Sequence, residues 1–382
     1  MAADSTSSPA YGIGDRVEAR VGPVAHGGHM VARVPVGDGP EATSVVVFVR
    51  HALPDELVVV QITDVAKRFL RGDAVEVLEA SPDRVAAPCV LAGPGGCGGC
   101  DFQHVTLPAQ RRLKAAVVAE QLHRLAGLDL PVTVEQVPGS ADGLRWRTRM
   151  QYVGLPGGHR GLRKNHSHDV VTVEDCLIEA PGARVVLAGE PPARGTITET
   201  VRERSFEVAG DGFWQVHPGA PETLVATVLE MLAPQPGERA VDLYAGVGLF
   251  SAFLAEAVGA TGAVISIEGD RRASDLAKAN LSDLKQVKVR AGRVDRVLAE
   301  LDTFADVVVL DPPREGARKP IVDAVVDLAP RAVAYVACDP AALARDISYF
   351  RGHGYELTRL RSFDLFPMTH HVECVALLER PR

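Results

Sequence analysis

The alternation of strands and helices from about residue 236 onward is the feature that most constrains the fold of this chain. Apolar strands, each followed by a helical pattern, are predicted at 240–244, 263–267, 287–291, 306–310 and 332–337. Two further strands, at 355–363 and 373–378, close the chain. This order predicts a multidomain α/β protein whose last domain is a doubly wound, mostly parallel sheet. Ligands of such sheets bind beyond the carboxyl ends of the strands, so the residues that follow each strand are the candidate site.

A glycine turn typical of nucleotide-binding sheets follows the first of these strands. It reads Asp242-Leu-Tyr-Ala-Gly246-Val-Gly248, and glycines at this turn let the backbone pass close to a ligand. Glu268 ends the second strand, about 20 residues on, where an acid accepts hydrogen bonds from ribose hydroxyls. The layout suits both NAD and S-adenosylmethionine. The missing third glycine and the preceding Asp242 favour S-adenosylmethionine.

Two candidate catalytic side chains follow later strands. Cys338 precedes Asp339 and Pro340, a good N-cap and first helical residue, and a helix N-terminus stabilises a thiolate. Most lone cysteines are small buried apolar residues, but the position at a strand end favours a nucleophile. A thiolate that adds to carbon 6 of uracil lets carbon 5 attack an electrophilic methyl group, after which a base removes the carbon-5 proton. Glu373 is the candidate base, although its spacing alone is more typical of an exposed strand carboxylate.

Four of the six cysteines form a candidate ligand set. They are Cys89, Cys97, Cys100 and Cys176, whereas Cys374 is expected to be a core strand residue. Four thiolates hold either Zn²⁺ or a [4Fe–4S] cluster. Zinc ribbons more often show two matched C-x-x-C pairs, so the single pair leans towards iron–sulfur. Four ordinary core cysteines are the alternative.

The region before the α/β domain is predicted to hold a small β-barrel and an irregular segment. Between residues 10 and 80, short strands at 16–21, 30–33, 44–49, 57–62 and 75–78 are separated by turns such as Gly27-Gly28 and Gly37-Asp38-Gly39. Five short strands fit an oligonucleotide-binding barrel, although other small barrels share the pattern. Residues 81–215 are irregular apart from a helix at about 105–126, which is expected to pack on the catalytic domain.

The net charge of -8 argues mildly against a nucleic-acid partner, but phosphate contacts depend on local patches. The stretch from Arg145 to His168 contains no acid, and its cations are Arg145, Arg147, Arg149, Arg160, Arg163 and Lys164, with His159, His166 and His168. Trp146 and Tyr152 lie among them, and a surface of aromatic rings and cations suits unstacked bases. A solvated loop is an equal alternative.

Taken together, these motifs resemble one family, the S-adenosylmethionine-dependent RNA uracil-5-methyltransferases. The segments that carry the resemblance are Asp311-Pro-Pro-Arg314, Ala337-Cys338-Asp-Pro340 and His371-Val372-Glu373. In the barrel, Gly14-Asp15, Gly27-Gly28, Val47-Phe48-Val49 and Ser81-Pro82-Asp83-Arg84 are similar to the RNA-binding TRAM domain of that family. The resemblance implies Cys338 as nucleophile and Glu373 as proton acceptor. It also implies cofactor contacts from Gln215, Tyr244, Glu268 and Asp311.

The resemblance also has finer implications. It points to the branch that acts on 23S ribosomal RNA, with a [4Fe–4S] cluster on Cys89, Cys97, Cys100 and Cys176. The expected domains are the TRAM barrel at 10–80, a central iron–sulfur domain at 81–215 and a class I, Rossmann-like methyltransferase domain at 216–382. Two positions depart from the family: Leu249 and His217 stand where many members carry Asn.

Rival functions differ in features that the sequence carries or lacks. Transfer RNA is an alternative substrate, and a non-catalytic RNA-binding or redox-sensing iron–sulfur protein is an alternative class. Exocyclic-amine methylation usually needs an aromatic residue where Arg314 follows Asp-Pro-Pro, and a cytosine-5 enzyme needs a Pro-Cys motif after the fourth strand. No run of about 18 apolar residues occurs, and Met1–Pro9 does not read as a signal peptide. A monomeric, cytoplasmic protein without a membrane partner is therefore expected.

Overall fold

The computed structural model describes residues 11–37, 43–165, 167–189 and 195–381. The predicted tail Met1–Pro9, the Asp38-Gly39 part of a predicted turn, and His166 lie outside these ranges. The chain divides into two compact units. The barrel unit comprises residues 1–113, 155–176 and 367–370, and the sheet unit comprises 114–154, 177–366 and 371–382. Residues 81–215, predicted as one central domain, are shared between the two units, because long-range strand pairing and not chain order decides which segments pack together.

The described residues form strands and helices with the following bounds. The strands are β1 (Arg16–Val24), β2 (Met30–Val36), β3 (Thr43–Arg50), β4 (Leu57–Val65), β5 (Phe69–Glu79), β6 (Val134–Gln136), β7 (Arg147–Gly154), β8 (Arg160–Arg163), β9 (Val170–Thr172), β10 (Glu179–Ala188), β11 (Thr196–Val201), β12 (Arg204–Ala209), β13 (Arg239–Leu243), β14 (Ala263–Glu268), β15 (Val287–Ala291), β16 (Val307–Leu310), β17 (Ala332–Ala337), β18 (Glu356–Asp364) and β19 (Glu373–Glu379). The α-helices are α1 (Leu107–Gln121), α2 (Ala220–Leu232), α3 (Leu249–Val258), α4 (Arg271–Asn280), α5 (Val294–Ala299), α6 (Arg318–Asp327) and α7 (Pro340–Gly352). A π-helical turn, Leu122–Ala126, follows α1, and Pro156–Gly158 forms a 3₁₀ turn. Within the described ranges, no helix is long and apolar enough to cross a membrane.

The barrel unit contains a closed five-stranded barrel with strand order β1-β2-β3-β5-β4. Alternate side chains of its strands, such as Val47 and Val49 on β3, are fully buried inside it. The predicted barrel is therefore confirmed. The fifth strand begins at Phe69 and not at residue 75, because Phe69 to Asp73 pair in parallel with β3, a long-range partner that local pattern does not reveal. In the same unit, β8 pairs antiparallel with β9.

The sheet unit is built on an eight-stranded sheet of order β15-β14-β13-β16-β17-β19-β18-β6. Neighbouring strands from β15 to β17 run parallel, and β19 pairs antiparallel with both β17 and β18. Along β16, Val307 and Val309 pack into one core while Val308 and Leu310 pack into the other. Burial on both faces is typical of a doubly wound sheet, so the predicted fold class is confirmed for this domain.

A buried ion pair ties the second part of α1 to the end of β18. Lys114 Nζ lies 2.6 Å from Asp364 Oδ1 and donates a second hydrogen bond of 3.0 Å to the Phe366 carbonyl. Both side chains are almost completely removed from water. Further along, Val118 and Leu122 belong to the same apolar core as β16 and β17. A charge in this position is tolerated only while its partner is present.

Removal of the Lys114 charge is therefore expected to destabilise the sheet unit strongly. Lys114→Met keeps most of the aliphatic stem but leaves Asp364 buried and unpaired, which costs about 3 kcal/mol or more of unfolding free energy. The matched control is Lys319→Met, because Lys319 pairs with Asp323 on the exposed face of α6. Such exposed pairs contribute about 0.5 kcal/mol. Urea unfolding followed by circular dichroism measures both variants, and equal midpoints would contradict the argument.

Candidate active site

A cavity of about 770 Å³ lies in the sheet unit, at the carboxyl ends of its central strands. Most of the predicted site residues line it: Gln215, Tyr244, Gly246, Glu268, Asp311, Cys338 and Glu373. We call it the sheet cavity. Gly248 is a predicted cofactor residue that does not line it. A side chain at Gly248 would meet Leu281 Cδ1 at 2.7 Å, so this glycine permits close packing of α3 and not ligand approach.

Glu268 and Gly246 form the part of the cavity that suits a ribose. Glu268 Oε2 accepts a hydrogen bond of 2.8 Å from Gly246 N–H, and Oε1 accepts one of 2.6 Å from Asp270 N–H. The carboxylate thereby links the end of β14 to the glycine turn after β13. Gly246 has a φ of 57°, and nothing lies within 4 Å of the position that a Cβ would take. Open space beside a backbone turn and a fixed carboxylate is what a nucleoside ligand requires.

Buried carboxyl groups lie behind this turn. Asp242 is fully buried and accepts a hydrogen bond of 2.6 Å from the Ser251 hydroxyl. Burial raises the pKa of Asp242 to about 7. The pKa of Asp311 also rises to about 7, first because its carboxyl is desolvated and second because Asp242 carries like charge nearby. Carboxyls whose pKa is raised by burial and by like charge favour a positively charged ligand, which relieves their repulsion.

Cys338 stands between the end of β17 and the start of α7. Asp339 caps the helix, its side chain accepting a 2.8 Å hydrogen bond from Ala342 N–H. The pKa of the Cys338 thiol rises to about 12, chiefly because it is desolvated and also because Glu373 and Asp311 lie nearby, while Arg314 lowers it. The thiolate predicted at this helix N-terminus is therefore not stabilised in the ligand-free protein. Burial and neighbouring carboxyls outweigh the N–H groups, one of which is already occupied by the cap.

Glu373 begins β19 and is 4% exposed, so the alternative of an exposed strand carboxylate is wrong. Its pKa is raised well above the usual range, first by burial and second by Asp311, whereas Arg314 lowers it. Arg314 Nη2 lies 3.4 Å from His371 Nε2, and since a guanidinium only donates, that imidazole nitrogen is the acceptor. A carboxyl with a raised pKa, a thiol and one guanidinium therefore line the same cavity.

The aromatic residues of the basic stretch do not form the predicted base-stacking surface. Trp146 and Tyr152 are fully buried. Trp146 stacks on His217 with ring centroids 6.0 Å apart, and the Tyr152 hydroxyl donates to Glu179. Large apolar rings are removed from water whenever a core is available, and charge pattern alone does not reveal that core. The prediction was wrong for both rings, although Arg147 and Arg149 do line the sheet cavity.

Residues that sequence reasoning did not assign to the site also line the cavity. The cationic side chains are Arg147, Arg149, Arg272 and Arg314, and Phe213 is 67% exposed beside Gln215. The sequence shows Phe213 within the segment Phe213-Trp-Gln-Val216, but it does not reveal that the ring is exposed. Of the two departures from the family, Leu249 packs in the core, and His217 is buried with a pKa lowered to about 4 by desolvation. Neither residue lines the cavity.

The four predicted ligand cysteines all belong to the barrel unit and none forms a disulfide. Burial raises the pKa of Cys97 and brings that of Cys100 to about 12, and the Cys176 thiol adds to both shifts. Cys89 also raises the pKa of Cys97. The thiols therefore influence one another electrostatically. Among the described residues, however, no group of three or more His, Cys, Asp or Glu side chains is arranged to hold a metal ion.

Comparisons with known proteins agree with these features. Residues 12–75 match the TRAM domain model, and residues 194–381 match the tRNA (uracil-5-)-methyltransferase model. An RNA methyltransferase of Streptomyces avermitilis is 44% identical, with 96% of this chain and 99% of that protein covered. One of Bifidobacterium longum is 37% identical, with 96% and 97% covered. The crystal structure of Pyrococcus abyssi tRNA (uracil-54, C5)-methyltransferase with S-adenosyl-L-homocysteine superimposes with a TM-score of 0.69 at 19% identity, covering 95% of this chain and all of that one, which shows the shared fold.

A doubly wound sheet with a glycine turn at its ligand-binding edge, a half-buried cysteine near a buried carboxyl, and a TRAM barrel together define an RNA methyltransferase. The chain belongs to the tRNA (uracil-5-)-methyltransferase family. The family resemblance seen in the motifs is thereby confirmed, as is the class of enzyme. The assignment to 23S ribosomal RNA and the iron–sulfur cluster stay predictions.

The raised pKa of Cys338 predicts how its reactivity changes with pH in the ligand-free enzyme. Because only the thiolate is alkylated and the pKa lies near 12, the rate of iodoacetamide labelling is expected to rise about tenfold per unit between about pH 7 and about pH 9. Peptide mass spectrometry reads each cysteine separately, so fully buried Cys374 serves as an internal control that labels only on unfolding. A rate at Cys338 that levels off below about pH 8 would show that the helix N-terminus stabilises the thiolate after all.

Proposed function

We propose that this enzyme methylates carbon 5 of a uridine in RNA through a covalent adduct on Cys338. One observation supports the proposal above the others. The Cys338 thiol and the buried Glu373 carboxyl line one cavity, close enough that Glu373 raises the pKa of Cys338. A nucleophile and a proton acceptor on the same cavity wall are the two groups that substitution at carbon 5 of uracil requires.

The methyl donor proposed is S-adenosylmethionine, which supplies an electrophilic methyl group on a sulfonium. Glu268 would hold the ribose hydroxyls, and the open space at Gly246 would take the nucleoside beside the backbone. Gln215, Tyr244 and Asp311 line the same cavity and are the remaining proposed contacts. The raised pKa values of Asp242 and Asp311 support this assignment, because a cationic ligand stabilises their charged forms.

The protons and bonds of the proposed reaction balance as follows. The Cys338 thiol gives up its proton to solvent, and Sγ bonds to carbon 6 of the uracil, so that carbon 5 takes the methyl group and S-adenosyl-L-homocysteine leaves. Glu373, as carboxylate, then accepts the carbon-5 proton, and the bond from Sγ to carbon 6 breaks. Since the pKa values of both groups are raised in the ligand-free cavity, substrate binding must lower them before this sequence begins. Arg314 is the cation that already acts in that direction.

We propose 23S ribosomal RNA as the substrate, with transfer RNA as the second candidate. The TRAM barrel and the set of four cysteines support the ribosomal assignment through the resemblance described above. The fold shared with the Pyrococcus abyssi enzyme, a tRNA (uracil-54, C5)-methyltransferase, supports the second candidate. Mapping 5-methyluridine in both RNA classes from cells with and without this gene decides between them, and its absence from both would contradict the proposed reaction.

The proposed roles of Cys338 and Glu373 predict opposite adduct behaviour in two variants. Glu373→Gln should form the bond between Sγ and carbon 6 and accept the methyl group but eliminate slowly, because no base removes the carbon-5 proton. A protein–RNA species that survives denaturing gels should therefore accumulate. Cys338→Ala should form none and lose at least about a thousandfold of the methyl-transfer rate while binding S-adenosylmethionine as the wild type does.

The matched control for both variants is Cys374→Ala. Cys374 is the next residue after Glu373 on β19, so it points to the other face of the sheet, where its thiol lies near the Ser362 hydroxyl. This variant should keep methyl transfer and show no trapped adduct. Equal adduct in Glu373→Gln and Cys338→Ala would mean that Glu373 has another role. Methyl transfer by Cys338→Ala at the wild-type rate would remove the covalent mechanism.

We also propose that Cys89, Cys97, Cys100 and Cys176 hold a [4Fe–4S] cluster with a structural role. Four thiolates complete the ligand set of such a cluster and leave no position for substrate. The mutual pKa effects of these thiols support a common site. Among the described residues, these thiols are not arranged to hold a metal ion. The four side chains would therefore have to move closer together when the cluster is assembled. The proposed methyl transfer needs no electron from it.

Protein purified without air is expected to be brown and to contain about four irons per chain. Cys97→Ser should lower the iron content and the stability of the barrel unit while S-adenosylmethionine binding in the sheet unit is kept. The matched control is Cys374→Ser, a thiol outside the proposed ligand set, which should keep the iron. One zinc per chain and no iron, in protein never exposed to air, would replace the cluster by a Cys₄ zinc site.

A further inference from the structure

The outer face of the barrel carries an unusual set of side chains on two paired strands. β3 and β5 run parallel, with Phe48 opposite Arg71 and Arg50 opposite Asp73. Val47 and Val49 between them point inward and are fully buried, so these four side chains all point away from the barrel core. An outer barrel face is usually solvated. Here it is covered in part, and it forms one wall of a second cavity.

This barrel cavity has a volume of about 560 Å³ and lies wholly within the barrel unit. Opposite the strands, its lining includes Gly95 and Gly96 of the cysteine-rich segment and Lys164 and Asn165 of the basic stretch. A cavity of this size is in the range of ligand pockets. Part of the basic stretch is therefore not merely a solvated loop. It faces an aromatic ring, Phe48, that belongs to the barrel.

Several polar atoms at this cavity lack hydrogen-bond partners within the described ranges. Arg50 Nη2 is buried without a hydrogen-bond partner, and its ion pair with Asp101 Oδ1 is long, at 3.8 Å. His29 Nε2 is also buried without a hydrogen-bond partner, and the Asp73 carboxylate lies 4.0 Å from His51 Nε2, beyond hydrogen-bonding distance. Buried polar groups are almost always hydrogen-bonded, and those that are not mark a place that a ligand or water completes. Arg71 and Lys164, by contrast, are neutralised by Asp64 and Asp169.

The chemistry of these groups selects the ligand. A guanidinium donates and a carboxylate accepts, and the register places Arg50 and Asp73 side by side. Guanine is the base whose edge carries the O6 acceptor next to two donors, N1–H and the N2 amino group. The Phe48 ring, in edge contact with Phe69 at 5.3 Å between centroids, offers an apolar surface for a base. A simple anion fits poorly, because Asp64, Asp73 and Asp169 share the cavity.

We propose that the barrel cavity binds one unpaired guanine nucleotide of the RNA that the enzyme modifies. Arg50 donates to O6, Asp73 accepts from N1–H and the amino group, and Phe48 contacts the base. The inference rests on the proposed function in one respect, that the substrate is RNA. It adds a specificity determinant outside the catalytic unit, which selects RNA by a base other than the methylated uridine.

Binding of four labelled heptamers to the full chain tests the proposal, with the sequence UUUNUUU and N as each base. Fluorescence anisotropy should give a dissociation constant for N = G that is at least about tenfold lower than for N = A, C or U. Asp73→Asn should reduce that preference to about threefold or less, because an amide offers one acceptor where the carboxylate offers two. Phe48→Leu should weaken all four heptamers similarly, since contact with a ring tolerates any base.

The matched control is Glu76→Gln, a charge change on the same strand at an exposed position that does not line the cavity. It should bind all four heptamers as the wild type does. S-adenosylmethionine binding by every variant verifies the fold. A 6-thioguanine heptamer, photo-crosslinked and digested, should label the peptide that contains Phe48.

The outcomes separate this proposal from the proposed function. Equal binding of all four heptamers by a wild-type enzyme that methylates RNA would overturn the guanine site and leave the reaction standing. A guanine preference that Asp73→Asn and Phe48→Leu leave unchanged would also overturn it. Failure of the wild type to methylate any RNA would instead reject the proposed function.

Discussion

Burial of both faces of the eight-stranded sheet is the constraint on which the rest of the sheet unit depends. When successive side chains of β16 enter opposite cores, the strand interior has no room for reactive groups. The proposed functional side chains therefore lie at the carboxyl ends, with Glu268 as the last residue of β14 and Asp311 and Cys338 just beyond β16 and β17. The same burial desolvates Asp311 and Cys338, so their charged forms are unfavourable. The placement of these two residues and their raised pKa values therefore have the same cause.

That environment determines the resting state of the site. Desolvation raises the pKa of both Cys338 and Glu373, and the neighbouring Asp311 raises both further. A site in this state reacts slowly with electrophiles from solvent, because the thiol and not the thiolate is present. Arg314 is the nearby cation that opposes the shift. In the proposed mechanism, this state limits side reactions of Cys338 until a ligand fills the cavity.

Motifs at strand ends could be predicted from sequence because strand and turn patterns are local. Cys338 and Glu268 follow from these patterns, whereas Glu373 required the resemblance to the family, and the structure brings all three to one cavity. Trp146 and Tyr152 were misplaced because their burial depends on partners far away in the chain, including His217 and Glu179. The barrel cavity could not be predicted from the sequence either. Its lining depends on the β3–β5 register, which places Arg50 opposite Asp73, and on Lys164, which is distant in the chain. Local pattern predicts elements, whereas the surroundings of a side chain come from the pairing of distant segments.

The acidic net charge of -8 is consistent with binding RNA once the individual cavities are considered. In the sheet cavity, Arg147, Arg149, Arg272 and Arg314 line the same space as the buried carboxyls. In the barrel cavity, two of the cations are already paired with aspartates, so its attraction for phosphate is small. Long-range electrostatic attraction then contributes little, and recognition must rely on contacts to bases. For a chain of this charge, a buried polar atom without a hydrogen-bond partner, such as Arg50 Nη2, is therefore a better guide to RNA binding than the number of basic residues.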